Sequence, residues 1–478
     1  MDFVETLKFE ELVEGLSRIL KINSEQTEAV RTKDGELYPF GKGVQAALEE
    51  TLALAAEMGF ETYNCDNYGG HIDFLGTGQD GKAPKILGIL GHLDVVPAGS
   101  DWEHDPYGAE IVDGYLYGRG TTDDKGPLIA CLYCMKALKD AGYQPKHTIR
   151  IILGLDEETN WKGIEYYFSK VPAPDFGFTP DAEFPIINGE KGVVAFDFAK
   201  KFAKNNNKGL ELRTVTGGTA SNAVADSCRA VLRNDNEKDG GYEQVKTIIE
   251  NYRTETGYKV NYKGVGKALE ITTTGIAAHG AKPEAGLNAI SIMMELLGKF
   301  NFVNESAGDF VDFYNKYIGF NLGGEGLGIA MEDEKSGKLT FNVGLIDLSP
   351  DSAKLTVNVR YPVTKTDEDV YAPLTPIIEK YEIGVVRLDH KKPIFMDLDN
   401  PIVETLLNVY REHTGDNENA PMVIGGTTYA KSTENIIAFG GQFPGDEDLM
   451  HQRNERISLE RLKQMAEIYL DAIYRLSK

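Results

Sequence analysis

The sequence predicts an α/β fold in which a domain with a largely parallel sheet, flanked by helices, is interrupted by an inserted α+β domain. Three observations carry that expectation. Apolar strand-like runs alternate with helical runs over the first part of the chain, the pattern of strands joined by helical crossovers. From about Gly189 the texture becomes alternating and Thr-rich, as in Leu210-Glu211-Leu212-Arg213-Thr214-Val215 and Leu355-Thr356-Val357-Asn358-Val359-Arg360, which suits a half-exposed sheet. After about Pro393 helical periodicity returns. At 478 residues the chain exceeds what one growing core supports, so at least two domains are expected. The predicted segments are 1–187, 188–392 and 393–478, the first and last forming one domain.

Element by element, Ile86-Leu87-Gly88-Ile89-Leu90-Gly91 reads as a buried strand and Thr148-Ile149-Arg150-Ile151-Ile152-Leu153 as another. Between them a helix is predicted to run to about Asp140, with Pro127 in its first turn, where the missing N–H costs nothing. A third strand is Asp175-Phe176-Gly177-Phe178. In the insertion, Leu210-Glu211-Leu212 followed by Gly217 and Ala220-Ser221-Asn222-Ala223 echoes Leu269-Glu270-Ile271 followed by Gly275 and Ala277-Ala278-His279-Gly280, a short signal of internal duplication. Near the end, Ile402, Leu406, Leu407 and Tyr410 share a helix face, and a final helix covers about Leu459 to Leu476.

Composition excludes several classes of function. With 74 acidic and 50 basic side chains the formal charge is −24, and no basic stripe offsets it, so nucleic acid is not expected as a partner. Apolar stretches such as Pro127 to Met135 fall well short of the ~20 residues a membrane helix needs. The start Met1-Asp2-Phe3-Val4-Glu5 is acidic where a secretory signal is basic, which predicts a cytoplasmic location. Four cysteines do not make a disulfide framework, and Cys131 and Cys134 lie in an apolar run, so they are expected as buried helix thiols.

The chemistry gathers at strand ends. The first strand runs into His92-Leu93-Asp94, and a spacing of two on an extended chain keeps an imidazole and a carboxylate on one face. Open α/β sheets build sites at that carboxyl edge, and a metal-binding imidazole usually has its second nitrogen held by a carboxylate. The second strand ends in Asp156-Glu157-Glu158, the third in Thr179-Pro180-Asp181. Three strands delivering acids and a histidine to one edge call for a cation. The loop Gly118-Arg119-Gly120-Thr121-Thr122-Asp123-Asp124-Lys125-Gly126 lacks the Lys-Ser/Thr ending of a phosphate loop, and its two aspartates would repel phosphate. Spacing does not decide which aspartate would be a ligand.

Taken in order, Gly91-His92-Leu93-Asp94, the Gly118 to Gly126 loop, Asp156-Glu157-Glu158, Thr179-Pro180-Asp181-Ala182-Glu183-Phe184-Pro185 with Asn188-Gly189-Glu190-Lys191-Gly192, and Met450-His451-Gln452 followed by Asn454-Glu455 resemble the two-zinc peptidase family of aminoacylases, carnosinases and bacterial dipeptidases. The resemblance is greatest to its bacterial dipeptidases. It implies a catalytic domain interrupted by a lid, acting on small peptides with a free amino terminus. It also implies two divalent cations, zinc first with manganese or cobalt acceptable to the same donors. By motif, His92 and Asp181 would hold one ion, Glu158 and His451 the other, and Asp123 both; Asp94 would orient His92 and Glu157 would be the general base. In the lid, His279 of Ala278-His279-Gly280 would stabilise the oxyanion, while Asn222 and Arg360 would hold the reacting carbonyl and the substrate carboxylate. Gly425 and Gly426 would line the substrate site in Gly425-Gly426-Thr427-Thr428-Tyr429-Ala430-Lys431, where Thr427 and Lys431 depart from the family's glycine and arginine. Aspartate at 181 resembles the dipeptidase and aminopeptidase branches; the alternative readings are an N-acyl-amino-acid amidohydrolase on the same metal site and a metal-binding relative that keeps the fold without turnover. A monomer suffices if the duplicated lid supplies what a partner subunit otherwise would.

Overall fold

The computed structural model describes residues 3–204, 207–235 and 241–478; Met1 and Asp2 of the acidic start lie outside them. The chain divides into two compact units, one of residues 1–189, 395–423 and 427–478, the other of 190–394 and 424–426. The second is thus an insertion into the first.

Four parallel strands form the middle of the first unit's sheet, in the order Ile436–Ala438, Phe176–Thr179, Ile86–His92, Thr148–Gly154. Gly70–Phe74 and then Glu61–Asn64 extend it antiparallel. The strand Ile86–His92 is buried from Leu87 onward, consistent with a sheet covered on both faces. Helix Lys125–Asp140 packs on this sheet beside helix Leu459–Ser477. It begins two residues before Pro127, because Leu128 N–H already closes on the Asp124 carbonyl at 3.0 Å. Nearly every side of it is covered, and Cys131 and Cys134 are buried thiols within it. The helix start approaches the strand so closely that a Cβ on Gly91 would run into Asp124 Oδ2 and the Leu128 side chain.

The second unit is built on an eight-stranded antiparallel sheet. Its order is Lys259–Val265, Ala268–Thr274, Ser227–Asn234, Leu210–Gly217, Thr340–Leu348, Ser352–Tyr361, Gly192–Lys201, Gly384–Lys391. Helices Ala289–Leu297 and Glu305–Tyr317 pack against it over a core that includes Phe196, Leu232, Ile271, Met293 and Phe310. The two segments that echo each other in sequence, Leu210–Gly217 and Ala268–Thr274, flank the same strand. Their following turns are joined, with Ala223 bridged to His279 and Gly280 N–H donating to the Asn222 carbonyl at 2.6 Å.

The two main boundaries, 189/190 and 394/395, fall two residues after the expected ones, and one short excursion was not expected at all. Residues 424–426 go with the second unit rather than with the last segment, because Lys191 N–H donates to the Ile424 carbonyl at 2.9 Å and Arg360 Nη1 to the Gly425 carbonyl at 2.9 Å. Sequence periodicity carries no trace of so short an excursion.

Candidate metal centre and active site

His92 ends its strand fully buried, and its ring is fixed at both nitrogens. Nδ1 donates to the Asp94 backbone carbonyl at 2.9 Å, with Asp94 Oδ1 at 3.4 Å. That leaves Nε2 facing Asp123 Oδ1 at 2.9 Å and Asp181 Oδ2 at 3.7 Å. The turn after His92 is clamped from the N-terminal segment: Ser24 Oγ donates to the Leu93 carbonyl at 2.6 Å, and Val95 N–H to the Ser24 carbonyl at 3.2 Å.

The Asp156-Glu157-Glu158 triplet divides its work. Asp156 turns away and accepts Gly163 N–H at 3.0 Å, at the start of helix Lys162–Lys170. Glu157 and Glu158 are held through their backbone, since Asp94 Oδ1 accepts Glu157 N–H at 3.2 Å and Asp94 Oδ2 accepts Glu158 N–H at 3.1 Å. Glu158 Oε1 then faces His451 Nε2 at 3.0 Å, and the same Nε2 lies 2.9 Å from Asp123 Oδ2.

Two donor clusters result, His92 with Asp123 and Asp181, and Asp123 with Glu158 and His451, each with ligand atoms within 4.8 Å of one another. Asp123 is common to both through different oxygens. Asp124, the alternative that spacing left open, belongs to neither. Its Oδ2 accepts His92 N–H at 3.2 Å, and its buried Oδ1 has no hydrogen-bond partner.

Electrostatics fit a cation. Burial, then the neighbouring Asp123, pushes Asp181 up to about 7, and the same two causes push Glu158 up to about 6. Burial and then Asp181 carry Glu157 well above the carboxylate range. Burial would also raise Asp123, but hydrogen bonds from His451 and His92 win and hold it far below its ordinary value. The same contacts raise the imidazoles: Asp123 and Glu158 lift His451 to about 11, while at His92 the bonds to Asp123 and Asp94 overturn the lowering by burial. More carboxylates gather here than the two imidazoles neutralise. Each cluster offers one nitrogen and two carboxylate donors, a set suited to zinc, manganese or cobalt.

The remaining expected residues belong to the second unit. His279 and Asn222 are exposed and adjacent across the joined turns, and His279 Nδ1 accepts Ala281 N–H at 3.3 Å. Arg360 is buried, its guanidinium lowered to about 10 by burial and bonded to Gly425, with Gly426 following. Lys431 Nζ donates to Thr427 Oγ1 at 3.1 Å, so the two departures from the family motif are partners of one another. Sequence reasoning missed Tyr429. Fully enclosed, it stands edge-on to His92 at 6.3 Å and to Trp161 at 5.2 Å between ring centroids. Its place in the Gly425 to Lys431 motif was the available signal.

Residues 88–475 match Peptidase family M20/M25/M40. The chain belongs to this peptidase family. Membership makes it a hydrolase of the metallopeptidase kind, and the clusters around Asp123 are groups that could hold its metal. Among curated relatives, the Beta-Ala-Xaa dipeptidase of Lactobacillus delbrueckii subsp. lactis is 34% identical over 482 residues, covering 99% of each chain. Human carnosine dipeptidase 1 shares the fold with a TM-score of 0.55 at 15% identity, covering 99% of this chain and 98% of that one. Aminoacylhistidine dipeptidase from Vibrio alginolyticus does so with a TM-score of 0.56 at 14% identity, covering 99% and 98%. Among the described residues no helix is long and apolar enough to cross a membrane.

Proposed function

We propose that the chain is a dipeptidase that hydrolyses small peptides with a free amino terminus, using two divalent cations, zinc in the first instance. The observation that carries the reading is the division of Asp123, Oδ1 toward the His92 cluster and Oδ2 toward the His451 cluster. His92 and Asp181 would hold one ion, Glu158 and His451 the other, and Asp123 both. Two cations held there would polarise the scissile carbonyl and make the attacking water more acidic. Glu157 takes a proton from the attacking water and returns it to the leaving amine; its place beside Glu158, with both backbones held by Asp94, supports that role. Asp94 keeps His92 in the tautomer that presents Nε2 and fixes the backbone of Glu157 and Glu158.

To the second unit we assign substrate contacts: His279 to the oxyanion, Asn222 to the reacting carbonyl, Arg360 to the substrate carboxylate, and Gly425 and Gly426 to the peptide. A buried guanidinium suits a two-pronged carboxylate clamp. Four buried, unpaired cysteines support a reducing, cytoplasmic setting, and the joined turns of the second unit, Ala223 against His279, support a monomer that needs no contribution from a partner subunit.

The test is a dipeptide panel on metal-stripped protein, with zinc, manganese and cobalt each added back and N-acetyl dipeptides run in parallel. Metal-dependent cleavage of free dipeptides and poor cleavage of their acetylated forms is expected. The reverse preference would establish an N-acyl-amino-acid amidohydrolase instead.

A further inference from the structure

Glu455 is fully buried, and its carboxylate is surrounded by donors from the loop that delivers Asp123. Oε2 accepts Arg119 Nη1 at 2.6 Å. Gly120 N–H lies 3.1 Å from each oxygen. Oε1 also takes Thr122 N–H and Thr122 Oγ1, both at 2.9 Å, and Asp123 N–H at 3.3 Å. A buried guanidinium needs one such oxygen. The other takes the backbone amides of Gly120, Thr122 and Asp123 and the Thr122 hydroxyl, an arrangement akin to the amide concavities that hold anions, with Thr121 N–H turned instead to the Gly118 carbonyl. Gly120, at φ +92°, lets the loop turn its amides inward.

The backbone of Glu455 is fixed as firmly as its side chain. Its carbonyl accepts Gly118 N–H at 3.0 Å, and the next residues, Arg456–Ser458, pair antiparallel with Tyr115–Tyr117. One residue earlier, Asn454 Oδ1 accepts Glu103 N–H at 2.7 Å. His451 stands only a few residues before, and both it and Asn454 hold φ near +61°, so the tether between His451 and Glu455 is short and sharply turned. The 2.9 Å approach of His451 Nε2 to Asp123 Oδ2 is therefore set by one carboxylate that grips the Asp123 loop and rides on the His451 segment.

We infer that Glu455 is a positioning residue for the metal centre, clamping the Asp123 loop to the His451 segment and so fixing the geometry of the Asp123, Glu158 and His451 cluster in particular. The His92 cluster depends on it less, because His92 ends the strand Ile86–His92 and Asp181 follows directly on the strand Phe176–Thr179, so that of its three donors only the shared Asp123 rides on the gripped loop. The inference rests on the two-cation reading above.

Two variants test it. Glu455→Gln keeps the shape but loses the charge; Glu455→Asp keeps a counter-charge for Arg119 and draws the carboxylate back by a methylene. Zinc binding to metal-stripped protein is titrated calorimetrically, with folding checked by circular dichroism. The wild type should take up two equivalents. Each variant should retain the first and bind the second 10- to 100-fold more weakly, the usual cost of losing an outer-shell partner. At limiting zinc kcat should fall, and excess zinc should restore it with KM for the dipeptide unchanged, a pattern that general loosening of the fold does not produce. Either folded variant binding both equivalents with wild-type affinity overturns the inference. Wild-type protein taking up fewer than two equivalents overturns the two-cation reading itself, which is a distinguishable result.

Discussion

Asp94 Oδ1 accepts the backbone N–H of Glu157 at 3.2 Å, so the residue that steadies His92 also fixes the residue assigned as general base. Because Asp94 is fully buried and its other oxygen holds Glu158 N–H, substitution disturbs ligand and base together. In Asp94→Asn the amide NH2 must face a backbone N–H, two donors opposed. Metal affinity should drop by about 10- to 100-fold, and kcat at saturating metal should stay depressed. Wild-type values for both in metal-titrated kinetics would remove Asp94 from the centre.

Glu157 and His92 should separate when substituted. Glu157→Ala is expected to keep close to normal metal content while losing a factor of about 10² to 10⁴ in kcat, the contribution of a placed base. His92→Ala should lose metal, since Nε2 faces both Asp123 and Asp181. Elemental analysis beside steady-state kinetics distinguishes the roles; equal loss of metal in both variants would show the division to be wrong.

In the second unit, His279→Ala should lower kcat by about 10² to 10³, the effect of removing one oxyanion donor, with metal stoichiometry unchanged. Arg360→Ala should instead raise KM for dipeptides with a free carboxylate and matter little for dipeptide amides. Wild-type kcat in His279→Ala would leave this exposed histidine as a turn residue alone.

Stability against pH has a separate marker in His71. Burial, and then the Arg150 guanidinium, lowers its pKa to about 4 from an ordinary value near 6.5. Tyr167 Oη lies 2.8 Å from Nδ1, and Arg150 and Asp73 are paired beside it. Between pH 6.5 and 4 the unfolded chain binds the proton and the folded chain does not, so this group's contribution falls as pH falls through that window. The drop in Tm from pH 7.5 to 4.5 should be smaller in His71→Gln than in the wild type. Identical slopes would mean that His71 titrates alike in both states.

Much of the centre was legible because it lies where apolar strands stop. The runs ending at His92, at the Asp156 triplet and before Asp181 are largely apolar, broken by a charge only at Arg150, and a parallel sheet aligns their ends. Less legible was what depends on side-chain direction. Asp123 and Asp124 are adjacent acids before one helix, and only the path of the backbone sends one to both histidines and the other against His92 N–H. Glu455 and Tyr429 left weaker marks still, since a buried carboxylate gripping a loop and a ring braced on an imidazole have no periodicity. The assignment of residues 424–426 to the second unit rests on two backbone acceptors that no side-chain pattern announces.

The insertion also has a consequence for biosynthesis. Strand Phe176–Thr179 pairs on one side with Ile86–His92 and on the other with Ile436–Ala438, which leaves the ribosome roughly 250 residues later. At ~5–20 residues per second the nascent first segment waits on the order of tens of seconds with an open sheet edge, without the covering helix Leu459–Ser477 and without His451. Its four-stranded parallel core cannot close until translation is almost finished, whereas the second unit, apart from the short 424–426 excursion, is complete by residue 394. The order of synthesis thus favours a folded insert while the first unit is still unfinished, and a chain truncated before residue 436 would leave the exit tunnel without His451 and with its sheet lacking one wall.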